Sequence, residues 1–255
     1  MKIKIIPSFI IILGFLAYKY SKFLYAYVIF GKEKWLAMET DFYISSTIML
    51  ATGIAIAIMC NWFLHKNFQL HTLGLESDVL NGLFYGILFT IPMFLGFAYY
   101  FHGSIGIDGK TIYRDLVLAG FGEEFMYRGF LFGLLFYSAG WGFIPASLLA
   151  GIFFGMGHLY QAETMSDGIL VFLFTALASA GFAWFYYVWN SIWMLVFLHA
   201  SMDIIWDMFN VDTDVTGNLA VNIFRFATLG LVIIITARFA KRIGRDDLKY
   251  KLWLN

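Results

Sequence analysis

Three otherwise apolar stretches of the chain carry polar residues able to do chemistry. Glu123, Glu124 and Arg128 lie in the first, His158 at the end of the second, and His199 and Asp203 in the third. Carboxylates and imidazoles brought together can take a proton from water and return it to a leaving group, and a well-placed N–H can steady an oxyanion. Glu123, His158 and His199 are equally a reasonable ligand set for a catalytic Zn2+, with water in the fourth position. Glu, His and Asp within a membrane also build proton relays.

Spacing divides these residues into roles. Glu124 and Arg128 are four apart on one helix, which brings opposite charges together, while Glu123 points about 100° away around the axis. One carboxylate is neutralised and the other left available. His199 and Asp203 are again four apart and share a face. Phe154 and His158 repeat the spacing, with Gly155 and Gly157 leaving room beside the imidazole. Plainer readings exist for each residue: a Glu–Arg pair is often only a structural bridge, and a lone His only packing. The six together, on three apolar helices, are harder to treat as independent accidents.

The elements that must position them are membrane helices. Of 255 residues 61% are apolar and 13% charged, against about half and about a quarter in soluble domains. Apolar runs near or above the ~18–20 residues that cross a bilayer recur throughout. They do not alternate in the manner of barrel strands. The fold expected is an all-α, polytopic transmembrane bundle of about eight spans, near 5–30, 42–64, 79–101, 112–137, 142–159, 168–189, 191–209 and 218–239. Lys19 and Lys22 interrupt the first span and can break it. A single domain over 1–255, with a catalytic core at 112–209, is the economical assignment, because no internal repeat or linker is visible.

Charge and composition narrow the partners. Net charge is zero, so no basic field points to nucleic acid; the partners expected are membrane lipid and a membrane-associated peptide or protein substrate. Cys60 is the only cysteine, which excludes intramolecular disulfides and thiolate clusters. Arg238, Lys241, Arg242, Arg245, Lys249 and Lys251 crowd the C-terminus, whereas the loop before the last span carries Asp212 and Asp214. A cytoplasmic C-terminus follows, and Lys2 and Lys4 put the N-terminus on the same side if the span count is even. Pairs of glycines at 82 and 86, 129 and 133, and 151 and 155 predict close helix approach and make the fourth and fifth spans neighbours. Pro92 predicts a kink, and Pro145 sits in a first helical turn. The segment Leu70–Leu75 reads as a surface turn and Trp184–Trp189 as an interfacial aromatic belt. Arg114, Asp115, Asp207 and Arg225 read as interfacial anchors, and His65, His71 and His102 as residues without chemistry.

The order Glu123-Glu124-Phe125-Met126-Tyr127-Arg128, then Phe154-Gly155-Met156-Gly157-His158, then His199-Ala200-Ser201-Met202-Asp203 resembles three motifs of one family. These are the EExxxR, FxxxH and Hxxx(N/D) elements of the CPBP intramembrane proteases, also called the Abi or CAAX-protease family. About 80 residues carry the resemblance. It implies an endopeptidase that cuts a peptide bond within the membrane, in CAAX-type C-terminal processing or in bacteriocin maturation or immunity. With the charge pattern, it points to a multi-pass protein of a bacterial cell membrane.

For that chemistry, Glu123 acts with His158 to hold and deprotonate water, and His199 and Asp203 polarise the scissile carbonyl or orient the group that does. Of those two, His199 is the better donor, because an ionised carboxylate only accepts. Glu124 and Arg128 brace the helix. A zinc-assisted version through Glu123, His158 and His199 stays open; the HExxH signature of zincins is absent from the chain. Two readings from other classes are a non-catalytic immunity or scaffold protein and a proton-coupled transporter. The transporter is disfavoured by the lack of repeats and paired broken helices.

Overall fold

The computed structural model describes residues 3–29, 31–34, 42–67, 69–101, 106–211, 215–245, 248 and 251–253. Lys2, His102, Asp212, Asp214 and Lys249, on which parts of these expectations fall, lie outside the described residues. Every regular element among the described residues is helical. Among these residues eight long helices coincide with the eight apolar segments: α1 (Ile5–Lys19), α2 (Phe42–His65), α3 (Val79–Phe101), α4 (Tyr113–Ser138), α5 (Phe143–His158), α6 (Met165–Trp189), α7 (Ile192–Met208) and α8 (Leu219–Arg242). The first segment breaks at Tyr20, beside Lys19, and resumes as the short pieces Ser21–Leu24 and Tyr25–Ile29. Among the described residues, five helices are long and apolar enough to cross a membrane: α2, α3, α5 with its 3-10 extension, α6 and α8. The chain is a helical membrane bundle.

The helix carrying Glu123 differs from the α-helix its pattern predicts. It is wound as a π-helix over Tyr113–Ser138. Such wide turns are rare and gather at functional sites. Residues four apart still share a side, so Glu124 and Arg128 meet.

Local sequence explains how the neighbouring helices are set. The N-terminus of α6 carries a capping box, in which Thr164 accepts from the Asp167 N–H and the Asp167 carboxylate accepts from the Thr164 N–H. Its C-terminus stops at Asn190, in the left-handed region at φ 47°, and Ser191 caps α7 at once. The two helices therefore form a tight hairpin. Pro145 lies in the first turn of α5, where the N–H groups of Gly142, Phe143 and Ile144 donate to the carbonyls of Trp253, Lys251 and Leu252 at 2.8–3.1 Å. The chain's last described segment thus satisfies the open end of that helix. At Pro92 in α3, the next N–H, that of Met93, donates across to Thr228 of α8 at 3.0 Å.

Three expectations are corrected by packing. The fourth and fifth spans are neighbours as expected, but the glycine pairs at 129 and 133 and at 151 and 155 are not what joins them. Gly151 and Gly155 receive Ala176 and Phe172 of α6, whereas Gly129 and Gly133 lie against the carbonyls of Leu73 and Thr72. That 70–75 segment is consequently no surface turn: Thr72 and Leu73 are buried, and the Thr72 carbonyl accepts from the Tyr186 hydroxyl at 3.0 Å. Nor is the 184–189 cluster a belt, because Phe185, Tyr186, Tyr187 and Val188 are all buried in the core. An aromatic run at a helix end looks the same in sequence whether lipid headgroups or other helices surround it.

Candidate active site

Glu124 is the fixed point of the site. Its side chain is fully buried, and one oxygen, Oε1, accepts from Arg128 Nη1 at 3.0 Å and lies 2.7 Å from His199 Nδ1. A carboxylate oxygen only accepts, so Nδ1 carries the proton and donates. The opposite ring nitrogen, Nε2, lies 3.4 Å from Asp203 Oδ2. His199 is therefore held between carboxylates from two helices, with Phe182 of α6 edge-on to its ring at 5.8 Å. The Arg128 guanidinium lies over Phe154 at 4.6 Å and over Phe182 at 5.1 Å, so aromatic faces share its burial with Glu124.

Close approach of α4 and α7 makes this contact. One turn before Glu124, a Cβ on Gly120 would come 2.7 Å from the Ala200 Cβ and 3.0 Å from the Val196 carbonyl oxygen. Only a glycine there lets the two backbones cross so closely. A small residue beside His199, paired with a glycine before the Glu-Glu step, is the sequence signal for it.

Glu123 faces the other way. No hydrogen bond or ion pair holds its carboxylate among the described residues, and it lines a cavity of about 650 Å³. His158, His199, Asp203 and Arg128 line the same cavity. His158 Nδ1 lies 2.8 Å from the Phe154 carbonyl, which can only accept, so this nitrogen carries the proton. In the neutral ring, Nε2 is then the free base. The Phe154 ring lies 4.4 Å from the imidazole and fixes its plane. The spacing read from sequence as Phe-x-x-x-His is thus both a backbone hydrogen bond and a ring contact.

Four residues expected as interfacial anchors belong instead to the cavity. Arg114, Asp115, Asp207 and Arg225 all line it. Asp115 and Arg225 are buried; Arg114 bridges Asp115 at 2.8 Å and also pairs with Asp207, tying the start of α4 to the end of α7. Arg225 donates to the Val215 carbonyl and lies 4.0 Å from the Trp206 ring. Their closeness to helix ends misled, because the cavity opens at those ends. Of the other histidines, His65 Nε2 lies 2.9 Å from the Ser138 hydroxyl and His71 is exposed, both away from the cavity.

Among the described residues, no three His, Cys, Asp or Glu side chains are grouped closely enough to hold a metal ion. The set Glu123, His158 and His199 does not fit one as it stands. His199 faces a carboxylate at each ring nitrogen.

Residues 111–205 match the family model described as type II CAAX prenyl endopeptidase Rce1-like. The matched stretch holds Glu123, Glu124, Arg128, His158, His199 and Asp203. No curated protein and no solved structure matches the chain.

Proposed function

We propose that this chain is an intramembrane endopeptidase of the CPBP, or CAAX-protease, type, as the match over residues 111–205 supports, and that it cuts a peptide bond of a membrane-associated peptide or protein in the 650 Å³ cavity by general-base attack of water. One observation carries the reading. Of two adjacent glutamates, Glu124 is consumed by Arg128 and His199, while Glu123 stands without a protein partner among the described residues in the cavity shared with the His158 imidazole.

Water held between Glu123 and His158 Nε2 loses a proton to one of them as its oxygen adds to the scissile carbonyl carbon. The charge that develops on the carbonyl oxygen is met by the Arg128 guanidinium, which Glu124 already fixes, and by the His199 Nε2–H, which Asp203 holds only loosely at 3.4 Å and can share with that oxygen. Donors that need not reorganise during the reaction are the most effective. The proton taken from water then passes to the leaving amine, and the C–N bond breaks. Asp203, one turn further along α7, keeps His199 oriented. Polar groups so far inside an apolar bundle would be costly without such pairing, at roughly 2.5–3.5 kcal/mol for each charge facing lipid.

The substrate is the direct test. Membrane peptides from cells carrying the wild-type protein or Glu123→Gln are compared. A cleavage product present only with the wild type is expected; immunity or partner binding that survives the substitution, with no product in either strain, would establish the non-catalytic scaffold instead. Metal dependence is decided separately on purified protein: zinc at one per chain, with activity lost on stripping and restored on return, would overturn the metal-free route.

Orientation follows from the same charge pattern. Lys4, Arg245 and the 251–253 segment sit at the end of the bundle where α4 ends and α5 begins, and His158 lies at the opposite end of α5. With the basic end in the cytoplasm of a bacterial cell, the cavity opens toward the outer face. Tyr160, 82% exposed beside the cavity, reports this: Tyr160→Cys is expected to react with an impermeant maleimide in intact cells. Labelling only after permeabilisation would reverse the orientation.

A further inference from the structure

A second cleft, of about 540 Å³, lies at the end of the bundle opposite His158, between the starts of α3 and α7 and the ends of α6 and α8. Arg238 and Arg242 stand one turn apart on α8 and both line it. Neither makes an ion pair or hydrogen bond among the described residues, unlike Arg245 nearby, which is spent on the Tyr187 carbonyl at 2.6 Å. The acidic group in the cleft, Asp78, is already engaged: its two oxygens accept from the Leu80 N–H at 2.8 Å and from Asn81 Nδ2 at 2.9 Å. The lining is thus net positive by one charge. Its floor is aromatic, with Trp189 between Tyr85 at 5.0 Å and Phe239 at 4.7 Å.

We infer that this cleft binds the headgroup phosphate of a monoanionic phospholipid through Arg238 and Arg242. Both α3 and α8 are long enough to cross the membrane, so their ends lie where headgroups stand. Beside the cleft, Leu80 and Phe84 of α3 and Ile234 of α8 are exposed and offer an apolar track for the acyl chains. Basic pockets between helices at a membrane surface suit such headgroups. The inference stands apart from the protease reading, since the cleft shares no lining residue with the catalytic cavity.

Native mass spectrometry of the full chain, with phosphatidylglycerol, phosphatidylethanolamine or phosphatidylcholine added at equal concentration, tests it. One phosphatidylglycerol per chain is expected to persist in preference to the two zwitterionic lipids. The double variant Arg238→Gln, Arg242→Gln should weaken its retention by about thirtyfold, from the ordinary contribution of two basic residues near a headgroup. Lys241→Gln, on the same helix but outside the cleft, should change it less than twofold, and thermal unfolding of each variant verifies its fold. Retention unchanged in the folded double variant, an equal loss with Lys241→Gln, or equal binding of all three lipids would each overturn the site. Displacement of the lipid by an equal concentration of inorganic phosphate would overturn it too, by showing a soluble anion to be the ligand.

Discussion

The two faces of α4 put identical side chains to opposite uses. On the face toward α7, Glu124 is buried beneath Arg128 and His199, and that face behaves as core. On the face toward the cavity, Glu123 has the same carboxylate one residue away and no protein partner among the described residues. The difference teaches that burial alone does not make a carboxylate a reagent: what matters is whether neighbouring donors have already claimed it. A paired carboxylate supports structure, and an unpaired one in a water-accessible cavity remains free to move protons.

The comparison breaks most sharply at Glu123. Glu123→Gln is expected to lower peptide cleavage by about 10²- to 10⁴-fold, the usual scale for a lost general base. Thermal unfolding of the same variant should stay at or slightly above wild type, since no hydrogen bond or ion pair is lost. An unfolding temperature that drops along with activity would place Glu123 among the structural residues.

On the Arg128 face stability should fall together with activity, because the same guanidinium meets the oxyanion and pairs with Glu124. Arg128→Ala leaves Glu124 buried with its main cation gone, at a cost of about 3–5 kcal/mol in folding stability. The pair Glu124→Gln, Arg128→Met removes both charges and should be milder than the sum of its single variants. A double-mutant cycle in denaturant reads this coupling. Additive losses would show that the bridge holds little of the structure.

A smaller effect sharpens the link between the two faces. Gly120→Val inserts a side chain where α4 meets Ala200 and should cost about 1–3 kcal/mol through overpacking. It also pushes His199 away from Glu124. Because a displacement of about 1 Å at a reacting group can cost roughly 10²-fold, activity should fall further than stability explains. Activity that tracks stability alone would detach the helix crossing from the chemistry.

Much of this was legible in the chain. Bulk apolarity and run length give a helical membrane bundle, and the eight apolar segments each hold one long helix. The i, i+4 rule pairs Glu124 with Arg128 and leaves Glu123 apart, as the distances have it. Phe154 and His158 meet for the same reason. Other features were not legible. Asp115 and Arg225 looked like anchors because their distance from helix ends is a one-dimensional quantity, whereas their burial depends on where a cavity opens. The inserted 70–75 turn is not readable from its own segment, because the glycines that admit it lie about 60 residues away.

What the sequence by itself determined is therefore local: residue types, their helical period and the two adjacent glutamates pointing apart. Such relations are fixed by backbone geometry within one helix and need no neighbour. Only the tertiary structure decided that His199 of α7 spans Glu124 and Asp203, that the Gly120 crossing brings α7 within reach, and that Glu123 opens on the cavity that holds His158. Those relations depend on the packing of separate helices, where small residues set the distance and unpaired charge must find a partner or water.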